Sequence, residues 1–156
     1  MTVPRHVETR RTCLAYSPGG HLAELERALE GITFTDCYHV TYGPGRPTTL
    51  PARRIYRLRH PRRSVIRTLW NALEALLVLL RERPRLVIST GADVAVPTVL
   101  LSKLFGARIV YIETAAALEG SLSGRLCHRV ADLFVVQWPE QLARYPRAVL
   151  ARGPLL

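Results

Sequence analysis

Apolar residues along the chain fall into short continuous runs and into longer stretches with helical spacing. The short runs, rich in β-branched and aromatic residues, predict strands at residues 12–17, 36–42, 53–58, 85–89, 108–113, 133–137 and 148–151. Apolar residues three and four apart predict helices at residues 21–29, 61–82, 94–105 and 123–131, with a helical turn at 139–144. The Gly- and Pro-rich segment 43–51 is predicted to be a loop.

The order of these elements predicts the fold class. Strands that alternate with helices indicate right-handed βαβ units and a parallel sheet. We therefore predict an α/β protein with a single Rossmann-like, doubly wound parallel sheet, in the order 3-2-1-4-5-6 when strands are numbered along the chain. Residues 12–156 form this domain, and residues 1–11, which are polar and basic, are predicted to be disordered.

Two glycine-bearing turns follow the first and fourth predicted strands, where the strand order reverses. They read SPGGH at residues 17–21 and STGAD at residues 89–93. Ligands bind to doubly wound sheets at this point, and free amides at the start of the next helix can hold a phosphate. Either turn could instead be only a tight turn. The dinucleotide-binding, P-loop and nucleophile-elbow patterns are absent.

Three side chains near these turns could take part in chemistry. His21 follows the glycines directly and could act as a general base near neutral pH, or could simply cap the helix. Glu24, one turn later, could orient His21 or cap the helix. Glu113 ends the fifth predicted strand, where it could bind sugar hydroxyls or pair with an arginine. Because no Asp-x-Asp motif is present, we expect no metal ion and no other cofactor.

Charge is concentrated in one segment of this 156-residue chain. The net charge is +10, and eight arginines lie between residues 46 and 67 with no acidic residue among them. The helix that follows has a broad apolar face opposite Arg67, Asn71 and Glu74, and its outer side turns apolar after Glu74. We predict that this outer side and the basic segment meet an anionic membrane. The predicted membrane-surface residues are Arg53, Arg54, Arg57, Arg59, Arg62, Arg63 and Trp70.

A solvated basic surface is the alternative interpretation of this segment. Nucleic acid is not an expected partner, because no reading helix or row of exposed aromatics accompanies the charge. The longest apolar run has six residues, at 75–80, whereas a membrane span needs roughly 20. Three cysteines without metal-like spacing indicate reduced thiols. We expect a cytoplasmic protein, peripheral at the inner face of the cell membrane.

Four segments together resemble a known family. They are SPGGHLAEL (17–25), STGADVAVP (89–97), YIETAAALEGSLSGRL (111–126) and VVQWPE (135–140). The chain is similar to the acceptor-side subunit of split GT-B glycosyltransferases. These include PssD/EpsE-like polysaccharide biosynthesis proteins and the membrane-anchoring subunit of the dolichol-linked UDP-N-acetylglucosamine transferase. A more distant likeness is to the N-terminal half of the MurG-type transferase.

The resemblance implies an acceptor-binding domain that works with a second, donor-binding catalytic chain. It implies an inverting transfer from a UDP-sugar to a lipid-diphosphate-linked saccharide in polysaccharide biosynthesis. The matching positions place the acceptor at Ser17, Gly19, Gly20, Ser89, Thr90 and Gly91, and catalysis at His21 and Glu113. Two other hypotheses stay open: a non-catalytic scaffold that recruits and stabilises the catalytic chain, and a free-standing nucleotide-binding Rossmann protein.

Overall fold

A computed structural model describes residues 6–153 and 155 of the chain. Its main feature is a seven-stranded, wholly parallel sheet in the order β5-β4-β2-β6-β7-β8-β9. The strands are His6–Glu8 (β1), Thr12–Ala15 (β2), Ile32–Phe34 (β3), Cys37–Thr41 (β4), Arg54–Arg57 (β5), Leu86–Ser89 (β6), Arg108–Ile112 (β7), Leu133–Val136 (β8) and Val149–Leu150 (β9). The helices are Gly20–Ala28 (α1), Val65–Glu82 (α2), Ala95–Leu104 (α3) and Leu122–Cys127 (α4), with a 3₁₀ turn at Pro139–Ala143.

The sheet confirms the predicted fold class and strand order. The first six predicted strands correspond to β2, β4, β5, β6, β7 and β8, and they lie in the order 3-2-1-4-5-6, with β9 added at the edge. In the centre, Ala15 of β2 is opposite Val40 of β4 on one side and Ser89 of β6 on the other. The strand order therefore reverses between β2 and β6, as the alternation of elements predicted.

Apolar side chains fill both faces of the sheet. One buried cluster includes Tyr38, Ile109 and Tyr111, and the other includes Leu14 and Leu25. Each such side chain contributes roughly 1.5–3 kcal/mol when it is removed from water. The central strands are held firmly by this packing, so the loops at their carboxyl ends start from fixed positions.

The amino-terminal segment corrects one prediction. His6–Glu8 form β1, which pairs in parallel with β3, so residues 6–8 of the segment predicted to be disordered are a strand. Glu8 is the last residue of β1, and its carboxylate accepts hydrogen bonds from both the backbone and the side chain of Arg10. Residues 1–5 lie outside the described part of the chain.

Helix α2 begins later than predicted and faces the opposite way. Pro61 is not helical, and Arg62 and Arg63 adopt left-handed backbone conformations, so the helix starts at Val65 after an extended Ser64. The residues buried against the sheet are Asn71, Ala75, Val78, Leu79 and Glu82. The broad apolar face instead points outward, with exposed Val65, Ile66, Leu69, Trp70, Leu73, Leu77 and Leu80.

The physical reason for this orientation is that the side-chain donor of Asn71 and both oxygens of Glu82 have partners, although Oδ1 of Asn71 has none among the described residues. The Asn71 side-chain amide donates to the Arg59 carbonyl at 2.8 Å. Glu82 accepts hydrogen bonds from Tyr56 and Arg53, both at 2.5 Å. Burial acts to raise the pKa of Glu82, but these hydrogen bonds hold that pKa below its usual value. The prediction that the mainly polar side of α2 faces outward is therefore wrong.

Candidate active site

The two glycine-bearing turns lie next to each other at the carboxyl ends of β2 and β6. The hydroxyl of Thr90 donates to the carbonyl oxygen of His21 at 2.7 Å and so joins the two turns. The Ser89 hydroxyl accepts from the Gly91 amide at 3.0 Å. Both side chains are completely buried. Ser89 and Thr90 thus hold the turns in place, and their part in acceptor binding stays a prediction.

The first turn leaves helix amides open to a ligand. Gly19 has φ of +126°, a conformation that favours glycine, and it precedes the first residue of α1. The first helical bond of α1 runs from the Ala23 amide to the Gly19 carbonyl, at 3.1 Å. The amides of residues 20–22 therefore precede the helical ladder. No heavy atom lies within 4 Å of the position that a Gly20 side chain would take, so this turn borders open space. Ser17 is half-buried at the same edge.

The second turn is tighter. Gly91 has φ of +99°, and a side chain there would meet the Tyr111 hydroxyl at 2.4 Å. Ala92 has φ of +79°, which is rare for a residue other than glycine. Strained backbone of this kind is concentrated at functional sites. The geometry requires glycine at position 91. It also brings the turn close to His21, because Cε1 of His21 lies 3.8 Å from the place that a Cβ atom on residue 91 would take.

His21 and Glu24 form a pair at the start of α1. The Nδ1 atom of His21 lies 3.6 Å from Oε2 of Glu24, and neither atom has a hydrogen-bond partner in the described part of the chain. About a quarter of the His21 side chain is exposed, but its Nδ1 is buried. This leaves Nε2 as the nitrogen that a substrate could reach. The other oxygen of Glu24 accepts from Thr114, the Ala115 amide and Gln137.

Glu113 does not belong to this pair. It is completely buried, and both of its oxygens accept hydrogen bonds within the protein. Oε1 accepts from the Thr114 amide and the Ser121 hydroxyl; Oε2 accepts from the Tyr145 hydroxyl at 2.6 Å and the Ser121 amide. Burial, together with the bond to Glu113, raises the pKa of Tyr145, so its hydroxyl stays a donor. Glu113 thus pins the loop after β7, and its catalytic role stays a prediction.

Gln137 forms hydrogen bonds with both glutamates. Its side-chain amide donates to Oε1 of Glu24 and to the backbone carbonyl of Glu113. The next residue, Trp138, donates from its ring nitrogen to the carbonyl of Ala115 at 2.9 Å. The QWP motif at residues 137–139 therefore holds Glu24 and the loop after β7 in place. The sequence carried no signal for the Tyr145 contact, because that residue lies 32 positions beyond Glu113.

The predicted membrane-surface residues separate into two groups. Arg53 is ion-paired with Asp36 and Glu82 near the amino ends of the strands, and Arg54 starts β5 at that same end. Arg57 ends β5 and donates to the Gly43 carbonyl. The other residues, Arg59, Arg62, Arg63 and Trp70, lie around the start of α2. The seven residues therefore do not form one continuous surface, and their contact with a membrane stays a prediction.

The group at the start of α2 lies beside exposed apolar side chains. The Arg59 guanidinium lies 5.3 Å from the Trp70 ring centroid and pairs with Glu74 at 3.1 Å. Arg62 and Arg63 are exposed and form no ion pair within the described residues. The outward apolar side chains of α2, from Val65 to Leu80, form what we call the α2 stripe. Exposed contiguous apolar surface of this kind marks an interaction site in soluble proteins.

Comparison with protein families gives a match over most of the chain. The model of the family described as "Oligosaccharide biosynthesis protein Alg14 like" matches residues 48–153. The chain belongs to this Alg14-like family. The matched region includes the second turn and the α2 stripe. The first turn and His21 precede it, so their assignment rests on the geometry of the site.

Curated relatives of this Alg14-like chain carry one name. The "UDP-N-acetylglucosamine transferase subunit ALG14" of Mus musculus is 35% identical over 93 residues, covering 55% of this chain and 43% of the relative. The protein of the same name from Eremothecium gossypii is 42% identical over 72 residues, covering 42% of this chain and 32% of the relative. The alignments thus span less than half of each relative.

Solved structures with the same fold are much less similar in sequence than these relatives. UDP-GlcNAc 2-epimerase from Neisseria meningitidis, bound to UDP-GlcNAc, has a TM-score of 0.68 at 10% identity, covering 95% of this chain and 47% of the epimerase. MurG from Acinetobacter baumannii has a TM-score of 0.61 at 15% identity, covering 92% of this chain and 44% of MurG. The Alg14-like chain therefore has the fold of about half of each of these proteins.

Two further observations concern metals and membranes. Among the residues that the structure describes, no three His, Cys, Asp or Glu side chains lie close enough together to hold a metal ion. Within residues 6–153 and 155, none of the helices combines the length and hydropathy needed to cross a bilayer.

Proposed function

We propose that this Alg14-like chain is the acceptor-binding, membrane-recruiting subunit of a two-chain UDP-N-acetylglucosamine transferase. The acceptor is a lipid-diphosphate-linked saccharide in polysaccharide or oligosaccharide biosynthesis. One observation carries the proposal: a crevice with open helix amides and a partly exposed histidine lies at the carboxyl end of the sheet, where the exposed apolar α2 stripe begins at Val65. That combination suits a substrate with a phosphate and sugar at one end and a membrane lipid at the other.

The first turn is the proposed seat of the acceptor diphosphate. The amides of residues 20–22 and the positive end of α1 attract an anion. Gly19 and Gly20 carry no side chain that would cover these amides. The half-buried Ser17 at the end of β2 adds a hydroxyl at this edge. A diphosphate here brings the first sugar of the acceptor close to His21.

His21 is the proposed general base. The acceptor hydroxyl oxygen forms a bond to the anomeric carbon of the UDP-sugar, and the bond from that carbon to UDP breaks. UDP leaves with the electron pair, the hydroxyl proton passes to Nε2 of His21, and the configuration inverts. Glu24 acts as a positioning residue, because its free oxygen lies beside Nδ1 of His21. General base catalysis of this type contributes typically 10²–10⁴-fold to the rate.

The donor site is assigned to a partner chain. The curated relatives are named as subunits of a transferase. This finding supports a division of the enzyme between two chains, in which the partner binds the UDP-sugar and catalysis needs both.

The test compares three preparations of purified protein. The chain alone should transfer no sugar, the assembled pair should do so, and the pair with His21→Ala should lose 10²–10⁴-fold in kcat while partner affinity stays unchanged. Full activity of the His21→Ala pair would favour the non-catalytic scaffold. UDP or NAD binding by the chain alone, without any partner, would favour the free-standing nucleotide-binding protein. Arg129→Ala, a change of an exposed residue away from the crevice, is the matched control.

Membrane recruitment is assigned to the α2 stripe with Arg62 and Arg63. Each arginine near an anionic surface contributes about 1 kcal/mol, and this part weakens with salt. The stripe adds apolar burial that salt does not weaken. Compared with what the sequence alone predicts, the structure supports a smaller electrostatic contribution to membrane binding, from fewer unpaired arginines, and a larger apolar contribution, from more exposed apolar surface.

Flotation with vesicles tests this assignment. Ile66→Glu with Leu69→Glu should remove binding to anionic and neutral vesicles, because both side chains are about two-thirds exposed on the stripe. Arg62→Glu with Arg63→Glu should weaken only the salt-sensitive binding to anionic vesicles. Val149→Glu, at an exposed position on the far edge strand β9, should have no effect. Binding that survives the stripe variant would leave recruitment to the partner chain.

A further inference from the structure

A groove of about 740 Å³ lies between the outer ends of three helices, next to the crevice. We call it the α2–α4 groove. Its apolar lining comes from Val65, Leu69, Val96, Pro97, Leu122 and Leu126. The volume falls within the range of small-molecule sites, which are concave and mostly apolar with a few polar groups. The crevice and the stripe do not by themselves account for this groove.

Five polar residues also line the groove: Arg63, Ser64, Thr68, Asp93 and Ser123. The two charged ones are Arg63 and Asp93, at the end of the groove next to the turn that follows β6. Asp93 has partners of its own: its Oδ1 accepts from the Val94 amide at 2.9 Å, and its Oδ2 lies 3.4 Å from Nδ1 of His60. Arg63 is the remaining cation, and its left-handed backbone, φ +56°, is rare for arginine.

The backbone around this end is itself unusual. Arg62 also has a left-handed backbone, with φ of +48°, and its amide donates to Nδ1 of His60 at 2.9 Å. Two successive strained residues cost free energy and persist only where the surrounding structure holds them. Here the strained pair sets Arg63 at the mouth of the groove instead of in the first turn of α2.

We propose that the α2–α4 groove binds the part of the acceptor's isoprenoid chain that adjoins its diphosphate, with Arg63 beside the phosphate. This inference rests on the proposed function and specifies the lipid part of the same substrate. Two observations select this occupant. At one end of the groove Arg63 is exposed without an ion pair in the described residues, whereas the neighbouring Asp93 faces the Val94 amide and His60, and most of the other lining side chains are apolar. An unpaired cation beside apolar walls suits an anionic head on an apolar tail. Val65 and Leu69 belong both to the groove and to the α2 stripe, so an isoprenoid chain reaches the crevice from a bilayer along apolar surface throughout.

The experiment uses two acceptors that share the saccharide and the diphosphate. One carries a long polyisoprenyl chain, and the other carries a single methyl group on the diphosphate. The assembled two-chain enzyme is assayed in detergent micelles, so that adsorption to a bilayer plays no part. Val96→Phe, which fills the groove, should raise KM for the long-chain acceptor about tenfold or more, the scale of a lost apolar contact. KM for the methyl acceptor should not change.

Two further variants separate the head from the tail. Arg63→Gln should raise KM for both acceptors, because both carry the diphosphate. Leu122→Glu, at a position that is 74% exposed and so tolerates substitution without misfolding, should repeat the selective effect of Val96→Phe. Leu104→Phe, on the same helix as Val96 but exposed at its far end, is the matched control and should change neither KM.

The outcomes distinguish the possibilities. Equal changes for both acceptors in Val96→Phe and Leu122→Glu, or no change for either, would overturn the groove as a lipid site. A loss of affinity for the partner chain in these variants would mean that an apolar segment of the partner occupies the groove. An unchanged KM in Arg63→Gln would overturn the placement of the phosphate. If the unmodified pair uses neither acceptor, the proposed function itself fails.

Discussion

Glu24 and Glu113 are two buried carboxylates in the same polar region, but they differ in how many of their oxygen atoms accept hydrogen bonds. Glu113 accepts hydrogen bonds at both oxygens, whereas Glu24 accepts them only at Oε1 and leaves Oε2 facing His21. Gln137 donates to Glu24 and to the backbone of Glu113, so one network supports both. The comparison teaches that a buried carboxylate beside a crevice is available to a neighbouring group only when one of its oxygens is left without a hydrogen bond.

Two histidines repeat this contrast. His39 is completely buried, with Nδ1 2.9 Å from the Tyr16 hydroxyl and Nε2 3.1 Å from the Pro51 carbonyl. Because the carbonyl can only accept, Nε2 carries the proton and Nδ1 accepts from the tyrosine. His21 has no hydrogen bond at Nδ1 and is partly exposed. His39 is bonded at both ring nitrogens and helps to hold the fold, whereas His21 keeps an unbonded Nδ1 at the crevice. Buried polar atoms without a partner also occur away from the crevice, as at Thr98 and Ser102.

The largest expected effect is on stability, from Glu113→Ala. The change leaves the Tyr145 hydroxyl and the Ser121 hydroxyl and amide without their acceptor in a buried site. Each unsatisfied donor costs about 1–3 kcal/mol, so we expect the free energy of unfolding to fall by about 3–5 kcal/mol. Urea denaturation measures it, with Glu140→Ala, an exposed carboxylate on the nearby 3₁₀ turn, as control. Unchanged stability combined with lost turnover would contradict this expectation and support the predicted catalytic role of Glu113.

The contrast between the two carboxylates also marks the limit of sequence analysis. The strand order and the position of the two turns followed from alternation of elements, because burial on both faces leaves a clear apolar pattern. The state of Glu113 depends on Tyr145 and Ser121, which reach it only after the chain has folded. Position along a strand predicts where a side chain lies, and gives no information on which distant donors satisfy it.

Helix α2 shows a related limit. Its broad apolar face has the pattern of a helix that covers a sheet, yet small Ala75 and two hydrogen-bonded polar residues, Asn71 and Glu82, face inward. The apolar moment of a helix predicts which face avoids water, but a membrane or a partner can provide that environment as well as a core can. Only contacts from other elements, such as Arg59 and Tyr56, distinguish the two orientations.

A smaller effect is expected from pH, through the buried His39. Burial lowers the pKa of His39 to about 4, against 6.5 for an ordinary histidine. Above pH 6.5 the ring is neutral in both states and the stability is fully present. As the pH falls from about 6.5 towards 4, only the unfolded chain takes up the proton, so stability is lost by up to about 3 kcal/mol. Urea titrations at several pH values measure this slope.

The matched variant for this prediction is His39→Gln. It should be less stable than the unmodified chain at neutral pH and should lose stability less steeply between pH 6.5 and 4. Burial also lowers the pKa of His128, which contributes in the same direction and persists in the variant. The difference between the two slopes isolates His39. Parallel slopes would show that a fully bonded histidine does not resist protonation in this fold.

The smallest expected effect, and the sharpest test of the comparison, comes from Glu24→Gln in the assembled pair. The amide oxygen can keep the three hydrogen bonds of Oε1, so the fold should be retained. The amide nitrogen then faces Nδ1 of His21 and donates to it, which forces the proton of the ring onto Nε2. A base that already carries a proton on its reacting nitrogen cannot accept another, so we expect kcat to fall roughly tenfold to a hundredfold, up to the lower end of the contribution of general base catalysis. KM for the acceptor should stay nearly the same, because the amides of the first turn are unaltered. A purely structural Glu24 would instead change stability or KM and leave kcat intact, and the variant Glu24→Asp, which keeps the charge but shortens the reach, should recover only part of the rate if the oxygen at 3.6 Å orients the ring.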